Sequence, residues 1–166
     1  MRQAVFLLIP IVLALAPARI VAGPVRTAEI NDIREYILRE QFSSLGNAKK
    51  KENRPVWFFV EFGRGQDPDD AFLRRFSDLR HKIAPYSAAR IDRIPGRFAY
   101  RTVVHRRTRE KGMILSIREI RFLQPNDARV SAAFFRGGRD AGSATYEVSR
   151  RDGKWRLRSL RWSDGT

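Results

Sequence analysis

The chain has 166 residues, 33 Lys and Arg against 18 Asp and Glu for a formal net charge of +15, and no cysteine. That length and an apolar content of 43% fit one globular domain with a single core, while the lack of cysteine excludes disulfides and a lipid anchor on an N-terminal cysteine. The charge favours polyanions (nucleic acid, acidic polysaccharide, an anionic membrane surface), but arginine dominates and is spread along the whole chain, so general solubility is the simpler account.

The opening MRQAVFLLIPIVLALAPARIVAG places one early cation, Arg2, before an apolar run from Ala4 to Ala16, with Ala16 and Ala18 in an A-x-A pattern. This is the layout of a secretory signal peptide over residues 1–18, with cleavage after Ala18 or as late as Ala22. The run is shorter than the about 20 residues that span a bilayer and is broken by Pro10 and Pro17, and no second apolar run follows. The expectation is an exported chain, periplasmic or extracellular, with no transmembrane segment after processing and a single α+β domain over residues 27–163.

Thr27 is a candidate N-cap with Glu29 in the first turn, and Ile30, Ile33, Ile37, Leu38, Phe42 and Leu45 recur at helical spacing up to Gly46. The polar stretch Asn47 to Pro55 reads as a connector. Val56 to Phe62 (VWFFVEF) reads as a strand covered on both faces, with Glu61 its one acid. In QDPDDAFLRRFSDLRHKIAP, Asp67 as N-cap, Pro68 at the first helical position, and Asp69 and Asp70 beside the dipole predict a second helix. Its stripe is Phe72, Leu73, Phe76, Leu79 and Ile83, and Pro85 ends it. Capping accounts for the three acids, which lack the glycine and closing glutamate of a calcium loop.

Residues Tyr86 to Arg97 read as an irregular connection, and from Phe98 onward the pattern is strand. Phe98, Tyr100, Thr102 and Val104 alternate, then the bend HRRTREKG leads to Met113–Leu123, a turn at Pro125–Asp127, Arg129–Phe135, a glycine bend, Ser143–Arg150 and Lys154–Trp162. Asp152-Gly153 suits a tight hairpin in which both central residues have positive φ. Alternation slips after Ile117 and again after Leu157, so bulges near Arg118-Glu119 and Arg158-Ser159 are needed to keep apolar side chains on one face. Bulged long strands curve, and two helices on such a sheet make a cone-like enclosure.

FFRGGRDAG raises the question of phosphate binding. A phosphate-gripping loop needs a helix after the glycines and G-K-[ST] at its end, whereas SATYEV is another strand, so Gly137, Gly138 and Gly142 read as a hairpin connection. His81 and His105 lie on different elements with no H-x-x-x-H spacing, so neither a metal nor any other cofactor is implied. In KWRLRSLRW, Trp155 and Trp162 read as core with the arginines as solvent-facing alternates, against a base-stacking alternative.

The layout of helix, strand, helix and curved meander ending in YEVSRRDGKW (Tyr146 to Trp155) resembles the nuclear transport factor 2-like superfamily of cystatin-like α+β cones. FFRGGRDAGSATYEV and DPDDAFLRRFSDL are also similar to segments of small bacterial proteins that carry no assigned activity. The resemblance implies two amphipathic helices packed on a curved antiparallel sheet of five to six strands. It transfers no catalytic residue, because the buried Asp or His that its enzymes use has no match here.

Three functions stay open. The first is a non-enzymatic binding or accessory module with an apolar pocket lined by Trp57, Phe59, Glu61 and Tyr100, taking a small apolar ligand or a protein partner, a second copy of the chain included. The second is a small proton-transfer or hydrolytic enzyme using Glu61, Asp92, His105, Glu119 or Glu147. The third is polyanion binding through Arg106, Arg107, Arg109 and Lys111 with the arginines of the last strand.

Overall fold

The computed structural model describes residues 24–47, 56–93, 101–138 and 140–164; the expected signal peptide over residues 1–18, most of the 47–55 connector and Tyr100 lie outside them. Helix α1 (Pro24–Asn47) begins three residues before Thr27, because proline fits a first turn whose N–H groups have no helical partner. Its stripe is as the spacing predicts: Ile33, Ile37, Leu38 and Phe42 are buried, with Gln41 buried among them. Each fully buried apolar side chain contributes about 1.5–3 kcal/mol, so this stripe is what holds α1 to the sheet.

β1 (Trp57–Phe62) follows, then α2 (Asp70–Leu73), which passes into a 3₁₀ turn at Arg74–Phe76. The predicted second helix is therefore one turn of α-helix and one of 3₁₀. Its cap is Asp69, which accepts the Phe72 N–H at 2.7 Å, and Asp67 accepts instead from the Ser87 N–H at 2.9 Å. Phe72 and Phe76 are buried as the stripe requires. Leu79 and Ile83 do not continue the helix, because β2 (Lys82–Pro85) lies parallel to β1 and takes its backbone pairing there. Pro85 is tolerated because β2 is an edge strand.

β3 (Ala89–Arg93) occupies part of the segment expected to be irregular and pairs antiparallel with β4 (Arg101–His105). The meander follows: β5 (Gly112–Gln124), β6 (Asp127–Gly137), β7 (Asp140–Arg151) and β8 (Lys154–Asp164). The fold is α+β, with one mixed eight-stranded sheet in place of the expected five to six antiparallel strands. β1 runs parallel to both β2 and β5, β4 reaches β6 at Thr102 and Gly137, and β8 pairs with β7 alone, so the sheet does not close. The difference arises because sequence alternation cannot reveal that two short segments, β2 and β3, join the same sheet, or that β1 pairs in parallel.

Both expected bulges are present. The β5–β6 register shifts between Ile117 and Glu119, and the β7–β8 register shifts opposite Glu147 and Val148, leaving Arg118 and Arg158 as the extra residues. Each keeps the apolar residues beyond it on the α1 face. The glycine segment is a hairpin closed by Gly137 and Asp140, with Gly142 inside β7. Gly137, at φ 144°, is where β6 meets β4: a Cβ there would collide with the Arg101 carbonyl oxygen.

Two cores result. One lies between α1 and the sheet and includes Phe42, Phe58, Val60, Leu115, Val130 and Tyr146. The other lies on the opposite face, where Phe59, Ala84, Val103 and Ile114 pack together with Ala89 of β3. Arg39 bonds Asp78 at 2.9 Å and the Arg75 carbonyl at 2.6 Å, while Arg75 bonds Asp32 and Glu35, tying α1 to the α2 segment. No helix among the described residues is long and apolar enough to cross a membrane.

Candidate functional site

Strand alternation puts Trp57, Phe59 and Glu61 on the face of β1 turned away from α1. Phe59 is wholly buried in the second core. Trp57 lies beside Gly112, where the backbones come so close that a Cβ would sit 2.7 Å from the Trp57 Cβ. Its ring stacks on His105 with centroids 4.3 Å apart, and its indole N–H donates to Glu110 Oε2 at 2.7 Å. Lys82 Nζ reaches Glu110 Oε1 at 2.7 Å, and the Thr108 hydroxyl donates to Oε2 at 2.9 Å.

These bonds from Lys82, Trp57 and Thr108 hold the Glu110 carboxyl down at about 2. The Thr108 N–H donates to His105 Nδ1 at 3.1 Å, which leaves the ring proton of a neutral His105 on Nε2. A carboxylate so firmly ionised and so fully bonded is a poor proton carrier at neutral pH. The cluster's chemistry is that of a clasp joining the 105–111 bend to β1 and β2.

The remaining acids are dispersed. Glu61 accepts from the Ser116 hydroxyl at 2.7 Å. Asp92 is paired at 2.6 Å with both Arg90 and Arg109. Glu147 is paired with Arg129 at 2.9 Å and accepts from Ser159, bonds that lower its carboxyl. Glu119 is exposed on β5. Of the candidates Glu61, Asp92, His105, Glu119 and Glu147, no two are bonded to one another among the described contacts.

The basic bend is similarly divided. Arg106 Nε donates to the Ala89 carbonyl at 2.8 Å and Arg109 is held by Asp92, while Arg107 and Lys111 are exposed with no acidic partner among the described residues.

Between α1 and the sheet lie Phe58, Ile33, Ile37, Leu38, Gln41 and Tyr146, all essentially inaccessible. Burial pushes the Tyr146 phenol up to about 12, with the adjacent Gln41 amide opposing. Neither amide atom of Gln41 meets a partner in hydrogen-bond geometry, and because such a bond needs direction as well as proximity the amide counts as unpaired. A cleft of about 360 Å³ lies at the start of α1, lined by Arg26, Glu29 and residues 122–125, with Arg26 over the Phe122 ring.

The feature that sequence reasoning missed is on β8. Trp155 is buried as expected, but Trp162 is 47% exposed, and Leu160 and Leu157 beside it are 38% and 37% exposed. The paired positions Val148, Tyr146 and Ala144 put Leu157, Leu160 and Trp162 on one face, where Trp162 meets the edge of Phe134 at 6.2 Å. Arg156 and Arg161 point to the other face, and Arg158 reaches Asp127 at 3.3 Å on that side. Phase along the strand assigns Trp162 a face, and the sequence held no signal for whether that face is covered.

Comparison with known proteins gave no match to a family model, a curated protein or a solved structure.

Proposed function

We propose that the protein is an exported, non-enzymatic binding module of the nuclear transport factor 2-like kind, and that its binding surface is the apolar strip of Leu157, Leu160 and Trp162 on β8. The observation that carries this reading is the half-exposed Trp162 aligned with two exposed leucines on one face of an edge strand. Scattered surface apolars need no explanation, but an aligned strip containing tryptophan is the composition of a binding hot spot. Of the expected pocket residues, Phe59 is buried in the second core and Trp57 is held by Glu110, which favours this surface over a pocket at those residues. The candidate acids are separated from one another, and Asp92 and Glu147 are paired with arginines, which favours binding over proton transfer. Export rests on the leader, and the cone-like form rests on the two bulges that bend β5 and β8 beneath α1.

The test uses the uncharged apolar dye Nile red with the mature protein. Its fluorescence rises on binding, and the rise is expected to be largely lost in a Leu160→Ser, Trp162→Ser double variant and retained in Leu123→Ser, which removes an exposed leucine elsewhere. An undiminished rise in the double variant would refute the assignment.

A further inference from the structure

We propose that the open edge of β8 binds an extended peptide segment whose side chains alternate between acidic and apolar, added to the sheet as a further strand. This rests on the reading of the β8 strip as the binding surface and specifies its occupant.

Three observations carry it. First, among the described residues β8 pairs with β7 on one side only, which leaves its outer backbone groups available for a ladder. Second, the direction of those groups follows from the turn and the bulge. Asp152 and Gly153, at φ 50° and 76°, form a two-residue turn closed by Arg151 and Lys154. Alternate residues from there send their N–H and C=O away from β7. Leu157 is one of these, and its N–H donates to the Tyr36 hydroxyl of α1 at 3.0 Å. With Arg158 as the extra residue, Leu160 and Trp162 regain the outward phase of Leu157. The edge is therefore capped by α1 at Leu157, and beyond it no other strand among the described residues pairs with it.

Third, the two faces of that open stretch differ in chemistry. One carries Leu160 and Trp162, and the other carries Arg158 and Arg161, both exposed, with Arg158 also held by Asp127 at 3.3 Å. A strand laid alongside places its own alternating side chains next to these two rows. Apolar residues meet Leu160 and Trp162, and acids meet the arginines. The same arginines argue against a second copy of this chain, because β8 paired with itself would set arginine against arginine. A segment of this chain with the required alternation of acids and apolar residues is absent from the sequence, where acids are sparse.

The experiment measures binding of a fluorescently labelled ten-residue peptide alternating Glu with Val and Leu, by anisotropy, to the full mature chain. Comparators are the same peptide with Lys for Glu, one N-methylated on alternate backbone amides, and one of identical composition with the alternation scrambled. The acidic peptide is expected to bind about tenfold or more tighter than the lysine peptide, two salt-bridging pairs having become repulsive. N-methylation and scrambling are expected to abolish binding, Arg158→Glu with Arg161→Glu to reverse the charge preference, and added salt to weaken it.

Equal binding of acidic and lysine peptides, or retained binding of the N-methylated one, would overturn this inference while leaving the β8 strip as the binding surface, provided Leu160→Ser, Trp162→Ser removes it. A dimer of the chain that the same double variant dissociates would also overturn it, in favour of a second copy. Failure of every peptide to bind overturns it as well, and the Nile red comparison then decides separately whether the strip itself is a binding surface.

Discussion

Replacing Gln41 with methionine is expected to stabilise the protein. Gln41 is wholly inaccessible on the buried stripe of α1, and neither its amide nitrogen nor its amide oxygen meets a partner in good hydrogen-bond geometry among the described residues. An unsatisfied buried polar group costs about 1–3 kcal/mol, and methionine has nearly the volume and flexibility of glutamine without the polar atoms. Since the amide also interacts electrostatically with the Tyr146 hydroxyl, the lower part of that range applies, a gain of about 1 kcal/mol. For a domain of this size the midpoint of thermal unfolding should rise by about 2–4 °C.

Urea denaturation is the appropriate assay, because an unchanged slope with a higher midpoint reports stability and not altered compactness. Pairing Gln41→Met with Tyr146→Phe closes a double-mutant cycle whose coupling should be small. A loss of about 1 kcal/mol or more in Gln41→Met, coupled strongly to Tyr146, would mean that the two side chains form a good hydrogen bond in solution and would refute the reasoning.

Other outcomes follow from the same geometry. The Glu110 carboxyl is held at about 2 against an ordinary 4.5 by Lys82, Trp57 and Thr108, so its contribution to stability is present above pH 4.5 and lost as pH falls toward 2. The stability difference between the wild type and Glu110→Gln, followed by acid titration of unfolding, should shrink across that window, and a constant difference would contradict the clasp. His81 has a buried, unpartnered Nδ1 against the Phe58 ring, and burial lowers its pKa below 6.5. Protonation therefore favours the unfolded chain, and the loss of stability as pH falls below about 6.5 should be reduced in His81→Phe. Gly137→Ala should be severely destabilising because its Cβ would collide with the Arg101 carbonyl, whereas Gly153→Ala, at φ 76° with open space around it, should cost only about 1 kcal/mol in the same denaturation assay.

What the sequence made legible was governed by local rules. The α1 stripe is periodic over several turns, the Asp152-Gly153 turn has a dipeptide signature, and both bulges were forced by slips in alternation that would otherwise have turned Ile120, Phe122, Leu160 and Trp162 to the wrong face. Non-local pairing was not legible. Ile83 completes a helical stripe as well as it completes β2, and only the parallel partner β1 decides between them. The clasp of Trp57, Lys82, His105 and Glu110 joins residues separated by up to 53 positions, and no motif links them. Trp162 fits a core pattern by phase, but phase says which face a side chain takes and not whether that face is covered.

The most direct measurement for the β8 surface is a backbone amide chemical-shift map of the ¹⁵N-labelled mature protein titrated with the alternating acidic peptide. Shifts concentrated from Leu157 to Trp162 and at Phe134 are predicted. Shifts concentrated at the α1 cleft, around Arg26 and residues 122–125, or along the 105–111 bend, with β8 unmoved, would contradict it.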